Sequence, residues 1–162
     1  MKTLLISCLL AATLRAVDVS GTYENAGSLI ALDTKEASST ISFQGLLELN
    51  FDYALTRALH SETNRVTIRQ TATHLAIECG NGDDKVTWSR RWEQGVGYTV
   101  EDNRVDVTFQ AARLKYDSYL FSLQPVAKRD ILLVEVKRVN ATPLGPSVQP
   151  VGSFLFGRLD GK

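Results

Sequence analysis

The stretch that decides the fold runs from Arg65 to Phe109 and reads RVTIRQTATHLAIECGNGDDKVTWSRRWEQGVGYTVEDNRVDVTF. Apolar and polar residues alternate within it in four runs, as in Leu75–Cys79 and Val105–Phe109. Successive side chains of a strand point to opposite faces of a sheet, so each run predicts a strand with one buried face. Glycine, asparagine and aspartate separate the runs, where turn chemistry is required. The stretch therefore predicts an antiparallel meander.

Strand patterns continue on the amino-terminal side of the meander. Val17–Tyr23 predicts a first strand, and Leu29–Leu32 and Ile41–Phe43 are interpreted as short strands or loop anchors. The stretch from Leu46 to His60 fits both a period of two residues and a period of four. Its length of about 14 residues and its content of helix-forming residues favour a helix.

Strand patterns also follow the meander. Tyr116–Val126 and Ile131–Val139 alternate as strands do, and Phe154 and Phe156 indicate a final strand. Three prolines within Asn140–Pro150 predict a loop there. We expect a mainly β protein, in which an antiparallel meander forms a curled sheet or small barrel with one short helix. Residues 17–162 form the single β-rich domain of this prediction.

The first 16 residues resemble a secretory signal. Lys2 supplies a positive charge, Leu4–Ala12 is apolar, and small residues lead to Ala16, which precedes a cleavage point. The apolar run is too short to span a bilayer, which takes about 20 residues. The alternative is a buried amino-terminal strand or helix. We expect export, to the periplasm or the extracellular space.

Leu5-Ile6-Ser7-Cys8 resembles a bacterial lipobox, in which the cysteine becomes the lipid-modified first residue. Only seven residues precede Cys8, and the residues after it stay apolar to Leu14. An apolar region of 7–15 residues fits Leu4–Leu14 as one unit, which favours an ordinary signal. Membrane anchoring through Cys8 is the alternative, and we expect membrane association only in that case.

Charge and cysteine content limit the classes of function. The chain carries 18 basic and 18 acidic residues, and the bases do not cluster into a nucleic-acid surface. Without Cys8, Cys79 has no partner for an intrachain disulfide. Cys79 shares a face with Leu75 and Ile77, which predicts a small buried hydrophobic residue rather than a nucleophile.

Motifs of catalysis are missing from the sequence. It contains no zinc pattern, phosphate loop, dinucleotide fingerprint or nucleophile elbow. We therefore expect no enzymatic activity, no metal and no cofactor. A pocket that joins His60 or His74 to a carboxylate is the arrangement that would favour an enzyme.

The candidate ligand-binding residues are Trp88, Arg90, Trp92 and Tyr119. The first three share one face of a predicted strand, so the tryptophans can stack on an apolar ligand while Arg90 binds its acidic head. The alternative is that Trp88 fills the core while Arg90 and Trp92 lie near an open edge. Aromatic residues in sheets more often serve packing than binding.

Short motifs resemble a known family. Ser20-Gly21-Thr22-Tyr23 is similar to the opening Gly-x-Trp strand of lipocalins and calycins, with Tyr23 in the place of the tryptophan. Tyr116-Asp117-Ser118-Tyr119 resembles the second motif of that family, Thr-Asp-Tyr, and Arg138 stands for its late arginine. The start Gly-Thr-Tyr-Glu-Asn also resembles small bacterial envelope lipoproteins of unknown function. These resemblances imply a β-barrel fold and carry over no catalytic residue.

Two functions are consistent with these observations. The first is a non-enzymatic binding module that holds a small apolar molecule in a curled sheet, since barrel mouths are preferred places for ligand pockets. The second is a structural or interaction protein of the bacterial envelope, which uses an outer face or a sheet edge to bind a partner protein.

Overall fold

The computed structural model describes residues 16–30, 40–49, 62–82, 85–110, 117–126 and 129–160. These residues form eleven strands and one short helix. The strands of the amino-terminal half are β1 (Gly21–Glu24), β2 (Ala26–Ile30), β3 (Thr40–Ser42), β4 (Arg65–Gln70), β5 (His74–Gly80) and β6 (Val86–Glu93). The later strands are β7 (Tyr98–Glu101), β8 (Arg104–Gln110), β9 (Asp117–Val126), β10 (Ile131–Thr142) and β11 (Gly145–Gly157). The helix α1 covers Phe43–Leu47.

The strands form two antiparallel sheets. The smaller sheet has the order β1-β4-β5-β6, and the larger has the order β3-β2-β11-β10-β9-β8-β7. The prediction of a mainly β, curled antiparallel fold with one short helix is confirmed. The strands that the structure describes do not close into a barrel, so of the two predicted forms the curled sheet is correct.

The predicted meander is divided between the two sheets. Its first three runs form β4, β5 and β6, which pair in sequence in the smaller sheet. The chain then crosses at the turn of residues 94–97 and continues as β7 and β8 in the larger sheet. The strand β7 was not predicted separately, because four residues are too few to show a clear alternation.

Backbone contacts connect the two sheets along β1, whereas along β6 the described strands of the two sheets are not paired except at its end. Tyr23 of β1 forms an isolated bridge with Arg158, and the Leu159 amide donates a 2.7 Å hydrogen bond to the Thr22 carbonyl. At the other side, a single bridge between Gln94 and Tyr98 connects the ends of β6 and β7. Beyond this bridge, no strand pairing between β6 and the larger sheet occurs in the described residues, and we call this side of the structure the lateral opening.

The core lies between the facing sheets. It is built from the inner-face residues of both sheets, including Val66, Ile68, Leu75, Ile77, Phe109, Phe121, Leu123, Leu132, Val134, Phe154 and Phe156. The helix α1 covers one end of this core, where the Phe43 ring stacks on Phe156 with 4.2 Å between the ring centroids. Cys79 is buried and free, as predicted.

A buried asparagine fixes the corner at which the chain leaves β1 for β2. The Asn25 side chain accepts a hydrogen bond from the Gln44 amide at 2.8 Å and donates to the Thr63 carbonyl and the Ser42 hydroxyl, each at 3.1 Å. Ser42 also caps α1, because its hydroxyl accepts from the Gly45 amide. The Asn25 side chain thus connects three parts of the chain: the corner after β1, the start of α1 and the residues before β4.

The predicted helix is confirmed only in part. The helix α1 begins at Phe43, and of the predicted residues it includes Leu46 and Leu47. Glu48 and Leu49 form a turn, and Leu49 has a φ of 57°, which is left-handed and ends the helix. The rest of the predicted helix, residues 50–60, lies outside the described residues.

The loop predicted for Asn140–Pro150 is wrong. These residues form the end of β10, a tight turn and the start of β11. Within the described residues, β2 pairs with β11 only at Ser153–Leu155. Pro146 and Pro150 therefore lie on a free edge, where a proline costs no ladder hydrogen bond.

The first 15 residues also lie outside the described ranges, and with them Cys8 and most of the predicted signal. No helix in the described parts of the chain is long and apolar enough to cross a membrane.

Candidate functional site

The register of β5 and β6 decides which side chains face the interior. Trp88, Arg90 and Trp92 pair with Cys79, Ile77 and Leu75, respectively. These three partners on β5 are buried core residues. The prediction that Trp88, Arg90 and Trp92 share one face is therefore confirmed, and that face is the inner one.

Arg90 is the charged residue of this face. Its guanidinium carbon lies 5.3 Å from the centre of the Trp92 ring and 5.2 Å from the centre of the Phe109 ring. Both distances are within the range of cation–π attraction. Arg90 remains exposed because β6 is an edge strand. Within the described ranges, its guanidinium has no carboxylate partner.

Aromatic rings form the floor beneath Arg90. Trp92 meets Phe109 edge to face with 5.0 Å between the ring centroids, and Phe109 meets Phe121 at 4.6 Å. Trp92 is only 6% exposed, and its indole Nε1 is buried without an acceptor in the described structure. Most buried donors have a partner, so this N–H is an exception among the described residues.

Tyr119 lies next to the same floor. It pairs with Phe109 of β8 on one side and with Arg138 of β10 on the other. A row of side chains thus runs from Arg90 of the smaller sheet across Phe109 and Tyr119 to Arg138. Tyr119 and Arg138 each make a further interaction. We call Arg90, Trp92, Phe109 and Tyr119 the aromatic cluster.

Trp88 lies beside the aromatic cluster, two residues before Arg90 on the inner face of β6. It is half-buried and lies on the side of β6 nearer to α1, where the neighbouring Thr87 hydroxyl donates to the Gln44 side chain at 3.3 Å. The alternative, with Trp88 in the core and Trp92 near the edge, is wrong: Trp92 is the buried tryptophan, and Trp88 is only partly buried. Phe109 is the member of the cluster that the sequence did not single out, because its alternation only indicated a core position.

The space between the sheets is filled at this level. The rings of Trp92, Phe109 and Phe121 occupy it, so the cluster offers a surface at the lateral opening rather than an enclosed chamber. A ligand at Arg90 would lie on this surface.

A separate open depression of about 480 Å³ lies at the turns before β5 and after β6. His74 and Glu93, which pair across β5 and β6, both line it. This is the combination of histidine and carboxylate that favours an enzyme. However, His74 Nδ1 lies 2.7 Å from the exposed Thr73 hydroxyl, and the depression is open to solvent at the strand ends and the turns beside them. His60, the other histidine, lies outside the described residues.

The surroundings of Cys79 and Arg158 indicate roles in the folded structure rather than in catalysis. Burial raises the pKa of the Cys79 thiol, which disfavours the thiolate that a nucleophile needs. Arg158 lies near Tyr23: its guanidinium carbon is 6.0 Å from the ring centre, and its Nη2 donates to the Ser20 carbonyl at 3.0 Å. No group of three or more metal-ligating side chains occurs among the described residues.

The chain matches no protein-family model, no curated protein and no solved structure. The function is therefore argued from the chemistry of the aromatic cluster.

Proposed function

We propose that this protein is an exported, non-enzymatic binding module for a small molecule with an apolar body and an acidic head. The aromatic cluster and the neighbouring Trp88 form the binding surface. The observation that carries the proposal is the position of Arg90, an exposed cation that lies over two aromatic rings without a carboxylate partner in the described residues.

The guanidinium of Arg90 determines which head group the proposed ligand carries. A guanidinium presents a planar fork of donors that matches a carboxylate, and such charge-assisted pairs are stronger than neutral hydrogen bonds. The guanidinium carbon lies 5.3 Å from the centre of the Trp92 ring and 5.2 Å from that of the Phe109 ring, and the side chain is exposed. We propose that the solvent-exposed donors of the guanidinium bind the anion.

The half-buried tryptophan determines where the apolar body packs. Trp88 lies two residues before Arg90 on the inner face of β6, and part of its ring is exposed to solvent. An alkyl chain or ring that continues from the head group would cover this surface. Burial of apolar area stabilises such a complex by about 25 cal/mol per Å² before the costs of binding.

Non-enzymatic binding is supported by the composition of the cluster. Its members are one arginine, one tryptophan, one phenylalanine and one tyrosine, and none of these is a carboxylate, histidine or thiol that would serve as a general base near neutral pH. Export is supported by the signal-like pattern of the first 16 residues.

Binding is tested with decanoate as the probe and its neutral methyl ester as the comparison. Because both tryptophans lie at the proposed surface, their fluorescence reports binding directly. We expect decanoate to bind and the ester to bind at least tenfold more weakly, since a hydrogen bond to a charged group contributes about 1.5–3 kcal/mol.

The matched pair of variants is Arg90→Gln and Arg91→Gln. Both arginines are exposed neighbours on β6, but only Arg90 lies on the inner face. We expect Arg90→Gln to weaken decanoate binding about tenfold and Arg91→Gln to leave it unchanged. Equal affinity for the acid and the ester, or equal loss in both variants, would contradict the proposal.

A further inference from the structure

We infer that β6 is a docking edge for an extended, acidic segment of a partner protein, which adds to the smaller sheet beside β6. This interaction uses the backbone of the edge strand and the side chains of Arg90 and Arg91. It therefore goes beyond the binding of a small molecule at the aromatic cluster.

The other free strand edges of the described chain are short or protected. The strands β3 and β7 have three and four residues. The free part of β11 contains Pro146 and Pro150, which lack the N–H donors that strand addition requires. The strand β1 is covered by the chain near Leu159, whose amide bonds the Thr22 carbonyl.

The strand β6 lacks these protections. It has eight residues, contains no proline, and has no strand beyond it in the described parts of the chain. A long edge without proline is a template for strand addition, in which main-chain hydrogen bonds supply affinity.

The hydrogen-bond pattern shows which backbone groups face outward. The Gln94 amide donates to the Thr73 carbonyl at 3.0 Å, in register with the pairs of β5 and β6. In an antiparallel ladder, hydrogen-bonded pairs recur at every second residue. Arg90 is four residues from Gln94 and therefore bonds toward β5, whereas the N–H and C=O groups of Ser89 and Arg91 point away from β5.

The charges of β6 define the chemistry of the partner. Arg90 and Arg91 present positive charge on the inner and the outer face of the same edge, and both are exposed. Glu93, the last residue of β6, is its acidic residue and lies on the outer face two positions beyond Arg91. Successive residues of an added strand also point to opposite faces. Two consecutive acidic residues in the partner would therefore lie beside the two arginines, one on each face, and opposite charges on adjacent strands stabilise the pair.

The decisive variant is Ser89→Pro. It removes an outward N–H that the pairing with β5 does not use, and proline is tolerated at such edge positions. The matched control is Ser89→Ala, which keeps the N–H. The probe is the fluorescein-labelled peptide Thr-Val-Glu-Glu-Val-Thr, compared by anisotropy with the same peptide carrying Lys-Lys in the centre.

We expect the acidic peptide to bind and the lysine peptide to bind at least tenfold more weakly. Ser89→Pro should reduce binding of the acidic peptide at least tenfold, while Ser89→Ala retains it. Decanoate binding should survive in Ser89→Pro, which separates this interaction from the one at the aromatic cluster. The inference is overturned if the acidic peptide does not bind. It is also overturned if the peptide binds equally well to the unchanged protein, Ser89→Pro and Ser89→Ala.

Amide hydrogen exchange and Arg91→Gln provide tests that do not depend on the folding of the proline variant. The acidic peptide should slow the exchange of the Ser89 and Arg91 amides and should bind Arg91→Gln several-fold more weakly. Unchanged exchange at these two amides in the presence of bound peptide would show that it does not add to β6.

Discussion

The guanidinium carbon of Arg90 lies 5.2 Å from the centre of the Phe109 ring, although the two residues belong to different sheets. This contact spans the lateral opening beside β6. It places a positive charge over a hydrophobic floor, at a point where neighbouring strands leave the charge exposed. The same residue thus helps to close the core and presents a donor fork to solvent, which is the basis of the proposed binding site.

The turn between β6 and β7 depends on a close contact between Gly97 and Trp92. A Cβ atom at position 97 would lie 2.6 Å from Trp92 Cδ1. We expect Gly97→Ala to displace the indole and to lower the free energy of unfolding by about 1–3 kcal/mol, the usual cost of overpacking. Urea denaturation measures the loss, and a shift in tryptophan emission should accompany it.

Gly95→Ala is the control for this prediction. Gly95 has a φ of 76° but no atom within 4 Å of a built Cβ, so alanine there adds backbone strain without contacting the indole. An emission shift of the same size in both variants would show that the Trp92 contact is not responsible.

The Asn25 corner should be a major determinant of stability. Asn25→Ala removes three side-chain hydrogen bonds and leaves the Gln44 amide and the Thr63 carbonyl without those partners. We expect a loss of about 3 kcal/mol, because unsatisfied buried groups cost about 1–3 kcal/mol each. Asn64→Ala, an exposed neighbour, should change stability by less than about 0.5 kcal/mol. Equal effects of the two variants in urea denaturation would refute this role of Asn25.

Stability should decrease at alkaline pH because of Tyr23. Burial of the phenol raises the pKa of Tyr23 from 10.0 to about 12, although nearby Arg158 acts in the opposite direction. The folded state keeps the proton over a range in which the unfolded chain releases it. The stabilising contribution is therefore fully present below pH 10 and is lost as the pH rises toward about 12.

Urea denaturation between pH 9 and pH 12 measures this decrease, and absorbance at 295 nm follows the ionisation of the tyrosines. Tyr23→Phe should show a smaller decrease over the same range. The variant also loses the 2.9 Å hydrogen bond from the Tyr23 hydroxyl to the Val19 carbonyl, which should lower its stability at neutral pH. A pH profile identical to that of the unchanged protein would exclude Tyr23 as the cause.

The depression that contains His74 and Glu93 should have no specific catalytic activity. We expect only slow hydrolysis of p-nitrophenyl acetate, because His74 contacts an exposed threonine and the depression is open to water. The rate should be the same for the folded protein and for the chain unfolded in urea. A folded-state rate several orders of magnitude higher that disappears in His74→Gln would establish an enzyme.

The proposed export predicts a defined amino terminus, which distinguishes an ordinary signal from a lipobox. We expect a mass that corresponds to a chain starting near Val17, because Leu4–Leu14 is consistent with a single apolar region. A mass that starts at Cys8 and includes acyl groups would instead show lipidation. Cys8→Ser would then release the protein from the membrane.

Local pattern was sufficient to predict the strands with clear alternation. β4, β5, β6, β8 and β9 were recognised because their inner-face residues repeat every second position. The same pattern placed Trp88, Arg90 and Trp92 on one face and Cys79 in the interior. The corresponding failures also have local causes: prolines on β11 suggested a loop, although a free strand edge tolerates them.

Pairing between distant strands could not be read from the sequence. Alternation shows that a strand has a buried face, but it does not identify the strand that faces it. The division of the meander between two sheets depends on the turn at residues 94–97 and on the contact of β1 with the chain near Arg158. That division brings Phe109 to Arg90 and makes β6 an edge strand among the described residues. The sequence by itself determined which side chains point inward, and the tertiary structure decided which of them meet, because packing between sheets joins residues that local periodicity cannot relate.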